Sequence, residues 1–221
     1  MCNQVSSLKD EISHLNETIL HQKDTNNIII GEISKQNDEN FCVLLNIVWG
    51  FVNTVSQIGK ISNNKEFQQI LFDYLETSLE PSILEPVIGI LINFNAIDEI
   101  RENLGLQTAQ IIFKKGVCND SKICALILKV LMNITFSDVI ALNLMKIGIF
   151  NYLQDVIKKM GYNNKIIIFT SKILYHLYKA CIKKNIYQQY HTTFLEFKRD
   201  PFFNKEKNEF AYNILCTICH E

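Results

Sequence analysis

Val5, Leu8, Ile12, Leu15 and Ile19 recur in alternating steps of three and four with polar residues between them. That spacing is the a/d seam of a heptad. Gln22 and Asn26 then occupy seam positions before Ile29 and Ile33 resume it. Residues 1–36 therefore predict an N-terminal helix or a short, imperfect coiled coil. A two-stranded coil this short is marginal in water, so an amphipathic helix packed on the body is an equal reading. Residues 35–40 hold no apolar side chain and read as a linker to a body over residues 41–221.

From Phe41 onwards a longer period appears. Phe51-Val52-Asn53, Leu91-Ile92-Asn93 and Leu131-Met132-Asn133 repeat an apolar-apolar-Asn triplet at intervals of 40 residues. Lys129 to Ile134 aligns with Lys172 to Leu177 at a step of 43, with His176 in the Asn place, and Asn213 is the candidate end of a further unit. Apolar helical runs fill the intervals at Glu66 to Leu79, Gln107 to Lys115, Ile149 to Lys159 and Tyr187 to Lys198. Each period thus predicts at least two helices. Units of this length cannot bury their apolar faces alone and must stack on their neighbours. Pro81 and Pro86 read as helix starts, and Gly59, Gly116, Gly148 and Gly161 as junctions between helices.

Composition agrees with an all-α chain: of 221 residues 48% are hydrophobic, and only eight Gly and three Pro interrupt them. Twenty-two basic residues against 23 acidic give a net charge of −1, with no cationic stretch able to track a phosphate backbone, so nucleic acid is not an expected ligand. Lys114-Lys115, Lys158-Lys159 and Lys183-Lys184 each follow an apolar helical run, where cations favour the helix macrodipole. Seven cysteines spread through apolar segments, without a signal-peptide pattern, lead us to expect reduced thiols and a cytoplasmic or nuclear location. The longest apolar stretch, Ile123 to Ile134, is broken by Lys129 and Asn133 well short of the roughly 20 residues of a membrane span, so no membrane partner is expected.

The order of features in Ile123 to Lys159 resembles an armadillo repeat. Leu128 to Ile134 looks like its third helix, Asp138 to Lys146 its first, Gly148 the junction and Ile149 to Ile157 its second. Fainter similarity covers Phe41 to Phe197, and Trp49 with Asn53 looks like the tryptophan-asparagine pair of importin-type members. The equivalent later positions are Gly89 with Asn93 and Lys129 with Asn133, so the repeated tryptophan array that holds basic cargo is missing. Leu44-Leu45 to Trp49-Gly50, Val87 to Asn93, and Leu128 to Ile134 leading to Gly148-Ile149 also resemble meiotic armadillo proteins that carry an N-terminal coiled coil.

The resemblance implies a right-handed α-α superhelix of armadillo/HEAT-type repeats, with the third helices lining a concave groove. Asn53, Asn93, Asn133 and His176 would form a ladder along it. A carboxamide can pair with both backbone groups of an extended peptide whatever its side chains. Trp49 would supply an aromatic wall, while Lys129 and Lys172 would favour acidic or phosphorylated segments. The competing reading is that each Asn merely bonds backbone at a helix end. The function expected is a scaffold or adaptor for a protein partner, with the N-terminal helix serving homodimerisation or docking and a role in meiotic recombination by resemblance. The alternative is a structural subunit or fragment of a larger armadillo/HEAT assembly.

Chemistry is sparse. Cys216-Thr217-Ile218-Cys219-His220 spells a haem-attachment pattern, yet it continues the apolar run from Phe210 and reads as coincidence. A zinc site would need a second closely spaced pair, which is missing. No phosphate-binding loop, nucleophile elbow or His-Glu-x-x-His motif occurs. Asp98, Glu99 and Glu102 beside Arg101 read as a solvated helix face. No cofactor, metal, small-molecule substrate or catalysis is expected.

Overall fold

The computed structural model describes the backbone of residues 38–51 and 55–219. The seam from Val5 to Ile33, the dimerisation role given to it, and Asn53 lie outside the described residues. Contacts divide the chain at Leu44 and Leu45; everything below concerns the unit from Leu45 onwards.

Among the described residues the fold is all-α, without strands. The helices are α1 (Asp38–Phe51), α2 (Val55–Ser62), α3 (Lys65–Thr77), α4 (Pro81–Asn95), α5 (Asp98–Lys115) and α6 (Ser121–Ile134). They continue as α7 (Asp138–Ile147), α8 (Ile149–Met160), α9 (Asn164–Lys183), α10 (Tyr187–Arg199) and α11 (Glu209–Ile218), with a 3-10 turn at Pro201–Phe203. None is long and apolar enough to cross a membrane.

Local chemistry sets most boundaries. The Asn64 side chain accepts the Phe67 N–H at the start of α3, Asp120 those of Lys122 and Ile123 at α6, Ser137 that of Ile140 at α7, and Asn208 that of Ala211 at α11. Each satisfies a donor that has no partner within its helix. Gly148, at φ +106°, turns α7 directly into α8, and Gly116, at φ +77°, ends α5; a side chain at either would strain the backbone. Pro81 sits at the first position of α4 as expected. Pro86 and Gly59 do not mark boundaries: they lie inside α4 and α2. Pro86 is buried, and its burial offsets the loss of one helical N–H.

Two series of helices pack in order. In the first, α4 lies against α6, α6 against α9 and α9 against α11; in the second, α3 lies against α5 and α5 against α7. The core of the first series is aliphatic: Leu91, Leu128, Leu131, Leu174, Leu177 and Leu215 are all at most 1% exposed, each contributing roughly 1.5–3 kcal/mol of burial free energy. Between α8, α9 and α10 the filling is aromatic, with Phe194 set edge-on to Phe150 at 5.5 Å and stacked on Tyr187 at 6.0 Å.

Most polar links between distant segments keep a similar interval, although Tyr187 reaches the Ile218 carbonyl across 31 residues. Asn133 Nδ2 donates to the Ile92 carbonyl at 3.0 Å, Lys122 pairs with Glu85 at 2.7 Å, and Tyr162 donates to the Lys207 carbonyl at 2.6 Å. Lys114 pairs with Glu76, Lys183 with Asp138, and Lys159 donates to the Val117 carbonyl. Except for that of Tyr187, these links join residues 37 to 45 positions apart. The exposed ion pairs add at most about 1 kcal/mol each. Lys114, Lys159 and Lys183 therefore do more than sit at helix C-termini: each reaches a group one interval away.

A cleft of rings and cations between three helices

The C-terminal half of α6, the middle of α9 and one face of α11 border a cleft of about 580 Å³. Its walls are Met132, Phe136, Lys172, Tyr175, His176, Phe210, Asn213, Ile214 and Thr217. Phe136 lies two residues beyond α6, and the helix end leaves its ring 57% exposed; Phe210, in the first turn of α11, is 49% exposed. Rings left this open at the edge of a cleft have apolar area still to cover.

His176 is the best-held member. Its Nδ1 lies 3.0 Å from Thr135 Oγ1, which itself donates to the Met132 carbonyl at 2.8 Å. Which of the hydroxyl and the imidazole donates to the other is set by the ring tautomer. The Phe136 ring packs on the imidazole at 4.3 Å. Burial lowers the His176 pKa from its ordinary 6.5, with Lys179 and Lys172 acting in the same direction.

Cations accompany three of the rings. Arg101 lies over Phe136 at 5.9 Å, Lys172 over Phe210 at 5.7 Å and Lys179 over Tyr175 at 5.7 Å. Arg101 is 7% exposed and is held by Asp98 and by the Asn95 carbonyl. The acidic cluster at the start of α5 thus fixes this guanidinium through Asp98, while Glu99 and Glu102 are exposed. No acidic residue lines the cleft.

Of the residues singled out in the sequence, Lys172 and His176 meet in the cleft. Asn133, 9% exposed, spends an amide N–H on α4, and Asn93 is half-buried on α4. Lys129 is exposed on α6. Trp49 is half-buried, its indole against Gly89: a Cβ there would come 2.6 Å from Trp49 Nε1. Phe136, Tyr175, Phe210 and Thr217 escaped the sequence reading. Their signal was an apolar or aromatic residue near a triplet, and periodicity alone reads such a residue as core. Cys219 is buried and Cys216 half-buried in the C-terminal segment. Among the described residues no group of three or more His, Cys, Asp and Glu is placed to hold a metal ion.

The depressed His176 pKa fixes the sign of a pH effect. The unfolded chain takes up this proton first, so stability is full above the ordinary value of 6.5 and is lost as pH falls from there through the folded value. In urea unfolding below neutrality, His176→Gln is expected to flatten that decline. An unchanged decline would mean the imidazole titrates as it does in the unfolded chain.

A scan of protein-family models finds no match to this chain, and a search of curated proteins finds none either.

Proposed function

We propose that the chain is a protein-interaction scaffold: a right-handed, armadillo-type superhelix of repeats that holds an extended acidic segment of a partner in the cleft between α6, α9 and α11. The repeat reading is supported by the two ordered helix series and by polar links, most of which span 37 to 45 residues. Recognition, and not catalysis, is the role that follows from rings, amides and cations without a nucleophile-base pair. A meiotic setting for the partner rests on sequence resemblance alone.

The observation that carries the binding reading is the lining of the cleft: half-exposed Phe136 and Phe210, a ring-mounted Lys172, and no carboxylate. An extended segment would lay apolar side chains between the rings and its carboxylates toward Lys172 and Lys179, while Asn213, Thr217 and His176 meet its backbone. Hydrogen bonds to charged groups are worth about 1.5–3 kcal/mol, so reversing one cation changes affinity by roughly tenfold or more.

Fluorescence polarisation with a library of extended peptides tests this directly. Acidic peptides with an aromatic or aliphatic anchor are expected to bind, basic ones of the same length to fail, and Lys172→Glu to weaken the best binder by about tenfold or more. Phe210→Ala should weaken it further without altering the helical circular dichroism. Equal binding of acidic and basic peptides, or indifference to both substitutions, would remove the cleft from consideration.

A further inference from the structure

The wall around His176 suits a charged imidazole. In the imidazolium both ring nitrogens donate. Nδ1, 3.0 Å from Thr135 Oγ1, then has its acceptor in place, because the threonine's own proton goes to the Met132 carbonyl at 2.8 Å. Charging the ring therefore breaks no hydrogen bond there. The Phe136 ring, tilted against the imidazole at 4.3 Å, also favours a cation over a neutral group.

What opposes the charge is burial and the company the ring keeps. Lys172 lines the same cleft, and Lys179 lies over Tyr175, whose ring is 6.4 Å from the imidazole. Arg101 lies over Phe136, the other aromatic neighbour. The walls given by α11 are Phe210, Asn213, Ile214 and Thr217, none of them acidic or basic; Tyr212 and Cys216 of that helix are not among them. Carboxylates on the adjoining segments face other cations: Asp98 pairs with Arg101, Asp138 with Lys183, and Glu209 faces Lys205 at 4.0 Å. The free imidazole is accordingly held below its ordinary 6.5 by burial, with Lys179 and Lys172 adding to it. A carboxylate brought into the cleft supplies the counter-charge that its walls lack.

We propose that His176 couples binding to protonation: the acidic segment assigned above to the cleft enters with uptake of a proton by the imidazole, so acidic partners are held more tightly in mildly acid solution than at neutral pH. The coupling rests on that reading of the cleft. Its sign follows from linkage. A carboxylate near the ring favours the imidazolium and raises its pKa in the complex above that in the free cleft. Affinity then rises as pH falls through the value of the complex and levels off below that of the free chain. A difference of about one unit, the low end for an opposite charge at close range, tightens binding by up to about tenfold. The proton that weakens the free fold below neutrality thus strengthens the complex.

Isothermal titration calorimetry of the full chain tests this, with an end-blocked, glutamate-rich peptide that carries one Phe and no His. Runs in two buffers of different ionisation enthalpy count the protons exchanged. Uptake of part of a proton per peptide is expected at about pH 6 and none at about pH 8, with affinity about three- to tenfold higher at the lower pH. His176→Gln retains an amide for Thr135 and should bind equally at both. An NMR titration of the wild-type His176 imidazole should show its pKa rising when the peptide is added. That measurement decides the coupling even where the glutamine variant fails to fold. Binding without proton uptake, or uptake undiminished in His176→Gln, overturns the coupling and leaves the acidic cleft standing. No binding at either pH overturns both.

Discussion

Phe194→Ala is expected to cost about 3–5 kcal/mol of unfolding free energy, the range for truncating a buried aromatic residue. The ring is fully buried on α10, edge-on to Phe150 of α8 at 5.5 Å and to Tyr178 of α9 at 6.4 Å, and stacked on Tyr187 at 6.0 Å. Its removal empties the point where three helices converge, and rings held by mutual edge contacts cannot all move inward to refill it. Phe194→Leu should recover most of the loss. Urea unfolding followed by circular dichroism reads both; a loss below about 1 kcal/mol for the alanine variant would mean that the aromatic cluster is loosely packed.

Leu131→Ala is expected to cost about 2–5 kcal/mol, and Lys129→Ala, two residues earlier on α6, within about 0.5 kcal/mol of nothing. Leu131 is 0% exposed at the centre of the first helix series, whereas Lys129 is exposed. The pair therefore tests the rotation of α6 as well as its burial. In a stack held by contacts between neighbours, hydrogen exchange in the leucine variant should quicken in α4, α6 and α9 before it does in α11. Uniform acceleration across all helices would argue that the unit opens as one body.

Much of the helical layout could be read from the chain. The limits at Asp138, Ile149 and Tyr187 were legible because a capping residue, a glycine or a lysine pair punctuates an apolar run there. Helix α5 was legible only in pieces: residues 98–102 read as a solvated helix face and Gln107 to Lys115 as an apolar run, yet one helix runs from Asp98 to Lys115. Gly105 lies between the two pieces, and a Cβ there would meet Ile140 at 3.2 Å and Asn95 and Ile134 at 3.3 Å. The glycine serves the close approach of α5 to its neighbours, a tertiary demand invisible in local propensity. The cleft was legible only in part. Lys172 and His176 stood out by register, while Phe136 and Phe210 owe their exposure to helix ends that do not cover them. The amide ladder illustrates the opposite limit: Asn133 recurs on schedule, yet its N–H is spent on Ile92, and spacing cannot say which way a side chain is used.

The modest reach of the polar links, 31 to 45 residues along the chain, also bears on how the molecule is made. A segment leaving the ribosome meets a partner completed a few dozen residues earlier, and no helix of this unit waits for a strand or helix from the far end. Loop-closure entropy stays small at every step, and contacts of modest sequence separation favour rapid folding. Assembly can therefore advance in step with synthesis, each newly emerged helix burying the apolar face that its predecessor left open and keeping that face from neighbouring nascent chains.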